Sequence, residues 1–103
     1  MPRQSLEEKD ALVQRLNKET AKINWLELQK HYAAGNLLAV AKGADLINVA
    51  VAFHQDDTVK VQAWLADKTL FEINDQQALD WYKSNVEHWA VVIPPFVLVQ
   101  NVK

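Results

Sequence analysis

The sequence predicts an α+β domain in which helices pack on a small sheet of three to four strands. The expected order is helix, helix, strand, helix, helix, strand, helix, strand. Three observations carry this. Capped segments with apolar residues at helical spacing open the chain, short runs rich in β-branched and aromatic residues recur and close it, and the connections between them are short. Only two residues are Gly and three are Pro, and half are hydrophobic, so a chain of 103 residues has the means to build one modest core. One domain over residues 1–103 is expected, with residues 1–5 as a flexible N-terminus.

The first helix is marked by Ser5 and Glu8, a capping box, and by Leu6, Val13, Leu16, Thr20 and Ile23 behind it. Asn24 with Glu27 repeats the capping signal. Trp25, Leu28 and Tyr32 then share a face, and Gly35 supplies a left-handed residue that closes a second helix, or a bent continuation of the first. Leu37 to Ala41 is a continuous apolar run between Asn36 and Lys42-Gly43 and reads as a strand covered on both faces.

From Leu46 to Phe53 the pattern fits both periods: Ile47, Val49, Val51 and Phe53 alternate, while Leu46, Ala50 and Phe53 step as a helix would. The alanines and the capping Asp45 favour a helix. Asp56-Asp57-Thr58 precedes another short amphipathic helix, in which Val61, Trp64 and Leu65 mark the apolar side. Thr69 to Ile73 alternates as a strand, and Asn74 with Gln77 caps a helix carrying Ala78, Trp81 and Tyr82. Trp89 to Ile93 and Phe96 to Gln100 are strong strand signals, read as two halves of one C-terminal strand. Pro94 and Pro95 split that run and, lacking donors, demand an edge, bulge or bend.

Composition excludes several function classes. Eleven basic residues against thirteen acidic leave a net charge of -2, with the bases interleaved among acids, so a nucleic-acid partner is not expected. No apolar run is long enough to span a membrane as a helix, and the polar N-terminus is not a secretory signal. The chain has no cysteine, which removes disulfides and thiol chemistry and makes a cytoplasmic location the default. Gly35 and Gly43, the only glycines, belong to no phosphate loop, and Ser5 and Ser84, the only serines, to no nucleophile elbow. No cofactor is expected.

The residues left with chemical potential are dispersed. His54, Asp56 and Asp57 gather an imidazole and two carboxylates within four residues and are the candidate metal ligands, although capping accounts for the aspartates equally well. His31, His54 and His88 lie far apart and read as surface or internally satisfied histidines. Glu19, Glu27 and Asp45 neighbour apolar stretches and are the candidate catalytic carboxylates if two of them converge. Four tryptophans are many for this length to bury completely, so Trp25, Trp64 and Trp89 are candidate binding residues. With the open edges of a small sheet, they point to a homodimer or an unidentified protein partner.

The segments Glu19-Thr20-Ala21-Lys22-Ile23-x-Trp25-x-Glu27-Leu28, Ala44-Asp45-Leu46 and Trp89-Ala90-Val91-Val92-Ile93-x-Pro95-Phe96-Val97-Leu98-Val99-Gln100 resemble an uncharacterised family of small bacterial proteins of about this length, a domain of unknown function. The resemblance runs from Leu12 to Gln100, with Phe96 where many relatives are expected to carry tryptophan. It implies a bacterial, cytosolic, stand-alone domain and brings no activity with it. Two readings follow. One is an interaction or regulatory module that associates with itself through an aromatic or sheet-edge patch. The other is a small enzyme or metabolite-binding protein using carboxylates in a pocket between helices and sheet.

Overall fold

The computed structural model describes residues 6–102. They form α1 (Leu6–Glu19), β1 (Ala21–Asn24), α2 (Trp25–Ala33), β2 (Leu37–Val40), α3 (Leu46–His54), α4 (Thr58–Asp67), β3 (Leu70–Glu72), α5 (Asp75–Ser84), β4 (Glu87–Ile93) and β5 (Phe96–Asn101). The α+β class and the expected helices stand, including the helix over the ambiguous Leu46–Phe53 stretch. The proposed capping Ser5 lies outside the described residues. Among those residues no helix is long and apolar enough to cross a membrane.

Capping side chains set most helix starts. Asn24, Asp45, Asp57 and Asn74 each precede a helix and accept from backbone N–H groups of its first turn, at Glu27, at Ile47 and Asn48, at Lys60, and at Gln77. α2 ends as its glycine predicts. Gly35 has φ +78°, its N–H donates to the Tyr32 carbonyl and that of Asn36 to His31, the paired bonds of a Schellman motif.

The sheet has five strands in the order β1-β4-β5-β2-β3, wider than the three to four expected. β5 and β2 run parallel, and the other neighbours are antiparallel. Both additional strands have a physical reason. The Leu16, Thr20, Ile23 spacing that suggested a longer first helix ends at Thr20, whose hydroxyl and N–H close the last turn on the Leu16 carbonyl, at 2.6 and 3.0 Å. Ala21–Asn24 then pairs with Glu87–Ala90 as an edge strand. The second change lies at the prolines. Pro94 and Pro95 do not bend one strand; they form the two-residue turn of a hairpin, joined by a cis bond, with Ile93 opposite Phe96. A turn is where residues without N–H donors cost the ladder nothing.

Strand alternation sends side chains to two separate apolar cores. On one face Val40, Leu70, Val91, Ile93 and Leu98 meet Leu12 and Leu16 of α1 and the buried side of α3, with Val61 and Trp64 of α4 packed against them. On the other, Leu37, Ala39, Ala90, Val97 and Val99 meet Trp25 and Leu28 of α2 and Ala78 of α5. Tyr32, Trp25, Trp81 and His88 form a chain of ring contacts across this second core. The hydroxyl of Tyr32 also donates to Asp75, tying α2 to α5 and holding the phenol's pKa above its ordinary value.

Candidate functional site

Three segments distant in sequence meet on the α1/α3 face of the sheet. α1 ends with Asn17 and Thr20, the loop from Ala41 delivers Ala44 and Asp45 to the start of α3, and β4 and β5 present Trp89 and Gln100. Together they line a cleft of about 340 Å³. Strand register makes the arrangement definite: Lys22 on β1 lies opposite Trp89 on β4, which lies opposite Gln100 on β5. The row therefore reads cation, indole, amide across three neighbouring strands.

Each member is held differently. The Lys22 ammonium sits 5.0 Å from the centroid of the Trp89 ring, within reach of a cation–π attraction. Gln100 points toward the core face and satisfies its amide on the loop, Nε2 donating to the carbonyls of Ala41 at 3.0 Å and Ala44 at 2.6 Å. Those bonds fasten the loop that carries Asp45. One oxygen of Asp45 accepts from the N–H groups of Ile47 and Asn48, at 3.0 and 3.2 Å, which caps α3. Trp89 remains 37% exposed. The cleft thus sets the Trp89 ring beside a carboxylate, an amide and a hydroxyl, with the Lys22 ammonium against the ring from outside the cleft lining.

The sequence candidates distribute as follows. Asp45 and Trp89 share this cleft. Glu19 is exposed at the end of α1 and pairs with Arg15, Nε to carboxylate oxygen 3.7 Å. Glu27 is exposed on α2, which packs on the opposite face of the sheet. Of the three carboxylates, only Asp45 lines the cleft. Trp25, 1% exposed, is a centre of the second core, and Trp64 is half-buried against the first. His54 closes α3, Asp56 occupies a left-handed position at φ 56°, and Asp57 caps α4 and pairs with Lys60 at 3.9 Å. Among the described residues no group of three or more His, Asp or Glu is placed to hold a metal ion.

Sequence reasoning missed two residues. Gln100 is the polar member of an otherwise apolar strand on a buried face, and its place between Val99 and Asn101 was the available signal. His88 is the other. It is fully buried, its Nδ1 lies 3.3 Å from the Val86 carbonyl, and its Nε2 is shielded without a partner. Burial pushes its pKa below the ordinary imidazole value, against a smaller upward pull from Val86. The signal was its position two residues before the buried Ala90, on the same side of β4.

These features define a small α+β domain with a two-faced sheet and an open, mixed polar and aromatic cleft. The chain belongs to the family described as Protein of unknown function (DUF2288), whose model matches residues 11–101. It is similar to the NMR solution structure of PA1075 from Pseudomonas aeruginosa, with 37% sequence identity, a TM-score of 0.78, and coverage of 99% of this chain and 94% of that one. No curated protein matches it.

Proposed function

We propose that the protein is a bacterial, cytoplasmic interaction module that associates with itself through the surface formed by Trp89 and the edge strand β1. The observation that carries this reading is a coincidence of two features: the partly exposed indole of Trp89 is the cross-strand neighbour of Lys22 on β1, and among the described residues no strand pairs with the outer side of β1. Exposed edges are templates for strand addition, and partly exposed tryptophans are frequent anchors at protein interfaces.

Both signs of charge flank the ring, Lys22 on the edge and Asp45 across the cleft. In a two-fold contact each protomer meets the same surface reversed, so a patch carrying a cation and a carboxylate is able to complement itself. The alternative use of Glu19, Glu27 and Asp45 as a catalytic set has no comparable support, since they occupy separate surroundings.

Sedimentation velocity across the micromolar range tests the proposal. The wild-type chain is expected to sediment as a dimer and Trp89→Ala as a monomer of unchanged fold by circular dichroism. A wild-type chain that stays monomeric throughout that range overturns it.

A further inference from the structure

The opposite face of the sheet holds a second cleft, of about 680 Å³, where α5 stops short of the ends of β2, β4 and β5. Its walls are aromatic, from Phe71 and Trp81, its floor is aliphatic, from Ala39 and Val99, and Ser84 and Asn85 at the end of α5 give it a polar rim. His88 also lines it. Apolar walls with a few convergent polar groups are the usual composition of a small-molecule site.

His88 adds what composition alone does not. The bond from Nδ1 to the Val86 carbonyl assigns the proton to Nδ1, leaving a lone pair on Nε2, and that atom is buried with no partner. Buried acceptors are seldom left unmade, because the loss of hydration goes uncompensated. His88 is among the residues lining the cleft, so the unmatched acceptor lies directly behind its wall.

We propose that this cleft binds a small planar heteroaromatic molecule bearing an N–H donor, its ring packed against Trp81 and Phe71 and its N–H directed to Nε2 of His88. Trp81 covers the imidazole, with ring centroids 4.2 Å apart, and Nε2 is closed off in this structure, so the incoming ring reaches the nitrogen as the Trp81 side chain turns aside. The donor requirement sets the ligand class. Neutral His88 accepts at Nε2, whereas a ring with acceptors alone leaves that nitrogen unmatched. The site lies across the sheet from Trp89, and it stands or falls independently of self-association.

The test is a titration of the isotope-labelled full chain, followed by nuclear magnetic resonance, with indole and with 1-methylindole. The two probes share one ring system and differ in the N–H. Indole is expected to shift amides of residues 84–88 and 99–102 saturably and to move the His88 Nε2 resonance, with 1-methylindole about tenfold weaker. His88→Phe is expected to equalise the probes; should that variant not fold, the pair on the wild-type chain decides alone. Equal affinity for both probes, or no saturable shift with either at millimolar concentration, overturns the proposal.

Discussion

The imidazole of His88 lies against the indole of Trp81, ring centroids 4.2 Å apart and planes tilted by 56°. This contact places a titratable group inside an otherwise apolar core, between Ile23 and Asn101 on the neighbouring strands. The charged side chains nearest the same cleft, Lys42 and Glu87, are exposed on its rim. Burial is therefore the dominant influence on the ring, and it favours the neutral form.

A pH dependence of stability follows from that burial. Because the folded-state pKa of His88 is lowered, the unfolded chain binds the proton more readily. Stability is fully present above the unfolded histidine value of about 6.5 and declines as pH falls toward the folded value. Thermal melts between pH 8 and pH 5 (roughly the span in which histidine titrates) are expected to show a falling melting temperature in the acid half. His88→Phe, which keeps a ring beside Trp81, is expected to flatten that limb. An unchanged slope in the variant assigns the effect to other groups.

The tryptophans separate into structural and surface roles, and truncation distinguishes them. Trp25 is 1% exposed, touches Tyr32 and Trp81 ring to ring, and packs among Leu37, Ala90 and Val99. Trp25→Ala is expected to cost about 3–5 kcal/mol, enough to unfold a domain of ordinary stability or leave it marginal. Trp89→Ala removes a partly exposed ring and one cation–π contact, and about 1 kcal/mol is expected. Urea denaturation of both variants measures the difference under conditions where the chain is monomeric.

Much of this fold was legible because its helix boundaries are written in capping side chains. Asn24, Asp45, Asp57 and Asn74 mark helix starts in the sequence and in the structure. The strand β1 was hidden for the opposite reason. It is four residues long, lies at an edge, and includes just one apolar side chain larger than alanine, Ile23, whose spacing from Leu16 also suits a helix. The hairpin at Pro94 and Pro95 was half legible: the prolines marked the break, but an edge, a bulge or a bend accommodates their missing donors as well as a reversal does. The cleft was partly legible: Asp45 and Trp89 were candidates, but their meeting depends on the register of β4 with β5 and on a loop held by Gln100. Long-range pairing of that kind leaves no local pattern.

The carboxylates give a further separation. Asp45 accepts two backbone N–H bonds at the head of α3, whereas Glu19 and Glu27 project from helix surfaces. Asp45→Ala is expected to lower stability by about 1 kcal/mol through loss of the cap, and Asp45→Asn to restore most of it, because an amide oxygen caps nearly as well. Glu19→Ala and Glu27→Ala are expected to fall within about 0.5 kcal/mol of wild type. Chemical denaturation of the four variants checks the ranking.

Gln100 offers the sharpest test of how the Trp89 cleft is held. Its Nε2 is a shared donor for the carbonyls of Ala41 and Ala44, which flank Lys42 and Gly43, the latter at φ +91°. The loop is otherwise tied by the Ala44 N–H bond to the Ala41 carbonyl, 3.1 Å, and by Ala44 packed on the first core, so Gln100 supplies its one side-chain hydrogen-bond donor among the described residues. Gln100→Glu keeps the length and shape of the side chain but replaces the donor with an acceptor, setting a carboxylate against two carbonyl oxygens. A loss of about 1–3 kcal/mol is expected, exceeding that of Gln100→Ala, in which the repulsion is absent and water can enter the vacated space. Amide hydrogen exchange at residues 41–47 locates the effect: protection should fall there in both variants while the β4–β5 pairing on the far side of the strand keeps its own. Gln100→Glu as stable as wild type, with the loop still protected, would show that the backbone alone holds Asp45 in place.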